Sequence, residues 1–121
     1  MSLHIELAAA VDETFGQRLA RPAEQKQDAL VVALDNGVML TVRYAAPDAY
    51  SMRWSYGDAE AGIDTAPLHR ELATFPNHLH DANGSLRPDP VTRPDRMPTE
   101  NMVRLVQALL DDPTLGILDE G

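Results

Sequence analysis

The sequence predicts an α+β domain: an N-terminal helix, an antiparallel sheet of about five or six short strands, and a C-terminal helix packed on that sheet. Three observations predict it. Apolar residues recur at helical spacing near both ends of the chain. An Asn36-Gly37 step joins two valine- and leucine-rich runs, and residues 50–56 alternate strictly between apolar or aromatic and polar.

His4 to Leu19 is the first expected helix, with Ile5, Ala8, Val11, Phe15 and Leu19 on one face. Ser2 is placed to cap it, Glu6 lies in its first turn, and Arg21-Pro22 ends it. His4, at the start of this helix, reads as a solvated residue, and the polar stretch Ala23–Asp28 as a loop or short helical turn. Ala29–Asp35 and Val38–Tyr44 form a hairpin about Asn36-Gly37. A two-residue turn would set Ala33 opposite Leu40 and Val31 opposite Val42. Leu30, Val32, Leu34 and Met39 then fall on the other face, an apolar patch suited to a homodimer or another partner protein.

Tyr50, Met52, Trp54 and Tyr56 share one face of the next strand, with Ser51, Arg53 and Ser55 on the other. Glu60–Asp64 reads as a short fourth strand. Ala82-Asn83-Gly84 turns a second hairpin between Asn77–Asp81 and Ser85–Arg87. Four prolines between Arg87 and Pro98 leave an extended surface connection. A helix begins at Thr99, with Met102, Leu105, Val106, Leu109 and Leu110 on one face. Asp112-Pro113 stops it, and one short turn is expected over Thr114–Leu118.

At 121 residues the chain is expected to be one domain, 1–121, with no functional weight given to residues 1–3 and 120–121. Cysteine is absent, which removes disulfides and thiolate ligands and points to a reducing, cytoplasmic compartment. No apolar stretch has the length of a membrane span, so no membrane contact is expected. The formal net charge is −9, which disfavours broad nucleic-acid binding. A local patch remains open, because nearly all the cations are arginines, suited to bidentate phosphate contact. No P-loop, G-x-G-x-x-G, G-x-S-x-G or H-E-x-x-H motif occurs, and no cofactor is expected.

The chemistry concentrates between Asp64 and Asp81, which holds His69, His78 and His80, three of the four histidines. On a strand, His78 and His80 share a face about 7 Å apart. The residues leave three readings open. An H-x-H pair completed by His69, Asp64 or Asp81 would chelate zinc, nickel or manganese. The spacing is not diagnostic, and no metal is expected. Alternatively, His69, His78 and His80 act as general acid and base, with Arg70, Arg87 or Arg93 holding a phosphate. RNA cleavage by 2′-hydroxyl attack needs that set. In the third reading the imidazoles are structural bonds of an irregular loop in a non-catalytic binding module. Phe75, beside Pro76, is expected in the core.

The segment D-T-A-P-L-H-R-E-L-A-T-F-P-N-H-L-H, Asp64 to His80, resembles the signature of TumE-type toxins of bacterial and archaeal toxin–antitoxin systems, roughly D-N-A-P-H-H-x-E-x-x-T-F-P-H-H-K-H. The likeness extends over about residues 12–110, including L-D-N-G-V-M-L-T-V-R-Y at Leu34–Tyr44 and the strand Tyr50–Tyr56. Asp64, Ala66, Pro67, His69, Glu71, Thr74, Phe75, Pro76, His78 and His80 match the signature. Thr65, Leu68, Asn77 and Leu79 depart from it, which leaves this copy two imidazoles and a cation short in the segment. The resemblance implies the toxin half of a toxin–antitoxin pair and a cognate antitoxin partner.

Overall fold

The computed structural model describes residues 2–116. Helix α1 spans Leu3–Phe15, with the Ser2 hydroxyl accepting the Ile5 N–H at 3.2 Å, and a 3-10 turn, Gly16–Arg18, follows. Its buried face is Leu7, Val11 and Phe15 at steps of four, so the face is rotated from the expected one and Ile5 is 47% exposed. His4 is not a solvated end. Its Nε2 accepts the Tyr44 N–H at 3.0 Å, tying the first turn of the helix to the sheet.

Among the described residues seven strands, one or two more than expected, pair antiparallel in chain order: β1 Glu24–Lys26, β2 Ala29–Ala33, β3 Met39–Ala46, β4 Ala49–Tyr56, β5 Ala59–Asp64, β6 His78–His80 and β7 Leu86–Pro88. β1 carries no hydrophobic signal, being three exposed polar residues along the edge of β2, where a loop or helical turn was expected.

The hairpin register differs by one residue from the two-residue turn. Leu30 opposes Val42, Val32 opposes Leu40 and Ala33 opposes Met39, leaving residues 35–37 as a three-residue loop with Gly37 at φ 97°. Asn36 holds the loop, accepting the Val38 N–H at 3.1 Å and donating to the Leu109 carbonyl at 2.9 Å. The slip of one places Leu30, Val32, Leu34, Leu40 and Val42 on a single buried face. The expected apolar patch therefore does not exist as a surface: Leu30, Val32 and Leu34 are core, and only Met39 is exposed. β6 and β7 repeat the device over residues 82–84, with Gly84 at φ 80° and Asp81 Oδ1 accepting the Asn83 and Ser85 N–H groups, both at 2.9 Å.

Helix α2 spans Pro98–Asp111, its first position taken by the proline, which needs no N–H partner there. Met102, Leu105, Val106 and Leu109 join α1 and the inner sheet residues Met52, Trp54, Ile63 and Leu79 in one core. The Trp54 indole donates to the Pro113 carbonyl at 3.0 Å, and a turn follows at 113–116; residues 117–118 of the turn expected there lie outside the described residues. The proline-rich connection is more than a surface strap. Asn101, buried on α2, donates to the Arg93 carbonyl at 2.7 Å and accepts the Arg93 N–H at 3.0 Å. No described helix is long and apolar enough to cross a membrane.

Phe75, expected in the core, is 38% exposed, with the Arg70 guanidinium 5.9 Å from its ring centre. Phe75→Ala should lower stability by about 1 kcal/mol or less, against about 2–5 kcal/mol for Leu105→Ala, measured by urea unfolding. A pH effect follows from the paired rings of Tyr44 and Tyr50, 4.9 Å apart. Burial pushes the Tyr50 phenol up to about 12 and pushes Tyr44 upward as well. An unfolded tyrosine ionises near 10 (roughly). The stabilisation is thus complete below about pH 10 and is lost as pH rises towards the folded value. Melting temperature should hold steady from about pH 7 to 9 and decline above about pH 10, with a smaller decline in Tyr50→Phe.

Candidate functional site

With the core on one side, the other face of the sheet carries polar side chains in rows set by the strand register. One row runs Thr41–Arg53–Gly62–His80–Leu86 and the next runs Arg43–Ser51–Asp64–His78–Pro88. Alternation along β6 sends Leu79 into the core and His78 and His80 to this face. Asp64 therefore stands directly across from His78. Gly62, across from His80, contributes no side chain. A Cβ there would lie 3.3 Å from the Met52 carbonyl oxygen and 3.5 Å from Arg53 Cγ, so the glycine leaves room for the arginine to lie over it.

Three side chains converge. His78 Nε2 lies 3.1 Å from Asp64 Oδ1 and 3.1 Å from His80 Nε2, and His80 Nε2 lies 3.6 Å from Asp64 Oδ2. The His78 side chain is 2% exposed, that of Asp64 29% and that of His80 50%, so the cluster grades from core to solvent. Its orientation is fixed from behind. The Pro76 carbonyl lies 3.2 Å from His78 Nδ1, and the Ala66 N–H donates to Asp64 Oδ1 at 3.0 Å. His69 flanks the group, its ring centre 4.9 Å from that of His78 and 6.4 Å from that of His80, with Nδ1 3.7 Å from Glu71 Oε1. The three sequence-selected histidines are thus brought together, and Asp64 joins them.

The three selected arginines are not brought into the groove beside His80. Arg70 stacks near Phe75, Arg87 lies 3.9 Å from Asp81, and Arg93 forms a two-bonded pair with Asp95 at 3.1 and 2.9 Å. The cation lining that groove, an open trough of about 670 Å³ along the sheet face, is Arg53. Among the described residues the Arg53 side chain has no hydrogen-bond or ion-pair partner. The alternation of β4 puts Arg53 on the polar face. Only the register across three strands puts it beside His80. Asp58, Glu60 and Asp81 line the same trough, making it anionic apart from Arg53.

The loop between β5 and β6 is anchored by a second buried polar cluster. Asp89 Oδ1 accepts the Val91 and Thr92 N–H groups at 2.8 and 3.0 Å, and its Oδ2 accepts from Asn77 Nδ2 at 2.8 Å and from the Thr92 hydroxyl. Thr74 bridges, donating to the Asn77 carbonyl at 2.8 Å and accepting the Asp89 N–H at 2.9 Å. Three of the four departures from the toxin signature are held in the fold by contacts of their own. Asn77 bonds Asp89, Leu79 is core, and Thr65 accepts the Tyr50 N–H at 3.0 Å. Asn77 and Leu79 alternate with the histidines, so the substitutions at 77 and 79 leave the histidine face itself intact. Leu68 alone is freely exposed, at 74%.

A family model described as toxin TumE matches residues 5–112. No curated protein and no solved structure matches the chain.

His78→Asn should cost about 1–3 kcal/mol, because it removes a buried ring held by the Pro76 carbonyl, whereas half-exposed His80→Asn should change stability by about 0.5 kcal/mol or less. Asp89→Ala should cost at least about 2–3 kcal/mol, since several buried donors lose their acceptor together. Thermal and urea unfolding of the three variants checks the ranking.

Proposed function

The chain belongs to the TumE toxin family, so it is the toxin component of a toxin–antitoxin pair, and we propose that it acts on RNA as a phosphodiesterase whose site is the open sheet face. The observation that supports this reading is the meeting of His69, His78 and His80 with Asp64, a cluster whose exposed member, His80, lines a groove that also holds the unpaired Arg53 side chain. Phosphodiester cleavage needs a group to take the proton of the nucleophile, a group to protonate the leaving oxygen, and a cation for the charge that develops.

In this reading a ribose 2′-hydroxyl loses its proton at the Asp64–His78–His80 centre as its oxygen attacks the adjacent phosphorus. The bond from phosphorus to the 5′ oxygen breaks, and that oxygen takes a proton from His69. Arg53, with its paired N–H donors, holds the non-bridging oxygens in place of Arg70, Arg87 and Arg93. His78 itself is buried and serves to position His80, the exposed member. A cognate antitoxin protein restrains the activity.

Inducing the toxin alone and together with its antitoxin in a bacterial host tests the assignment. The wild-type chain should arrest growth unless the antitoxin is present. His80→Ala should relieve the arrest while keeping the wild-type melting temperature, and Arg53→Ala should slow cleavage of RNA by purified protein at least about 10-fold, the loss of one transition-state contact. A folded His80→Ala variant that arrests growth as strongly as wild type would return the histidines to the structural role of a binding module.

A further inference from the structure

We propose that Asp64, His78 and His80 form a binding site for one first-row divalent cation, of which zinc is the probe. The inference rests on the placement of the toxic activity at this face and identifies what activates the nucleophile there.

The protonation states give the first reason. A carbonyl oxygen only accepts, so the contact of His78 Nδ1 with the Pro76 carbonyl puts the Nδ1 proton in that bond. In the neutral imidazole, Nε2 then presents its lone pair, and it presents it to a carboxylate oxygen 3.1 Å away and to a second imidazole nitrogen 3.1 Å away. With both rings neutral, one proton at the centre of the three side chains satisfies one such edge and leaves another as lone pair against lone pair. A cation satisfies all three together.

The spacing gives the second. A cation with bonds of about 2.1 Å holds neighbouring ligand atoms about 3.0 Å apart at right angles and about 3.4 Å apart at the tetrahedral angle. His78 Nε2 lies 3.1 Å from both Asp64 Oδ1 and His80 Nε2, His80 Nε2 lies 3.6 Å from the second carboxylate oxygen, Oδ2, and one ligand atom from each residue falls within 4.8 Å of the others. The support behind the donors is of the kind that metal ligands require, a backbone carbonyl fixing the His78 tautomer and a backbone N–H turning the Asp64 carboxylate. Two imidazoles and one carboxylate, with His80 half in solvent, match a three-ligand centre with an open position towards the groove, and the donor set suits zinc among first-row ions. A cation also answers the charge of the trough, which Asp58 and Glu60 line and where, among the described residues, Arg53 is the one lining lysine or arginine.

The experiment uses the full chain without a polyhistidine tag, stripped with a chelator and then titrated with Zn²⁺ by calorimetry and with Co²⁺ by visible absorption. The expected result is one ion per chain, a Co²⁺ spectrum of nitrogen–oxygen coordination, and a melting temperature raised by several degrees, because the ion binds the folded chain. His80→Ala and Asp64→Asn should weaken binding at least about 100-fold, and His4→Gln should bind as wild type. Absence of stoichiometric binding, or equal affinity in His80→Ala, overturns the metal site. The two proposals separate cleanly. Silent titrations with a non-toxic His80→Ala variant remove the metal and keep the site, whereas tight binding with a fully toxic His80→Ala variant keeps the metal and removes the site's role in toxicity.

Discussion

The open face depends on one cross-strand pair, Asp64 opposite His78. It sets where β6 returns after the long loop that leaves β5, and a return one residue earlier or later would turn both histidines into the core and Leu79 out of it. That register is secured at both ends of the loop. Ala66 and Thr65 tie the departure to Asp64 and to Tyr50, and the cluster of Thr74, Asn77, Asp89 and Thr92 ties the return to the segment before α2. A shallow site on three short strands is thereby given the rigidity that catalytic or ligand geometry needs.

Much of the architecture is legible because it follows from apolar period. The two helices, the alternation of β4 and the two glycine turns all carry such signals. What was illegible is what period does not encode. β1 is a strand because β2 offers it an edge, although Glu24, Gln25 and Lys26 have no strand character of their own. The Asn36-Gly37 turn is visible, but two- and three-residue loops share that dipeptide, and the one-residue difference exchanges a supposed surface patch for core.

The site was half legible for a related reason. His69, His78 and His80 stand out by residue type and proximity in sequence, and β6 brings two of them to one face. Arg53 lies far upstream and reaches His80 only through Gly62 of the intervening strand, a connection that exists in the register alone. The arginines close to the histidines in sequence were the natural candidates, yet Arg87 and Arg93 are engaged by Asp81 and Asp95. Phe75 shows the converse: an aromatic beside a proline is core by composition, and here its ring lies at the surface near Arg70.

The chain-order meander has a kinetic consequence. Each strand finds its partner in the segment just made, so most of the sheet assembles by successive local closures, for which the entropic cost is small and the rate high. The exception is the meeting of α1 with α2, which come from opposite ends of the chain and close the core together. Until α2 has emerged, the inner sheet face and Leu7, Val11 and Phe15 lack their cover. The folded state therefore comes into being only when α2 docks, which makes that docking the step on which the whole core closes.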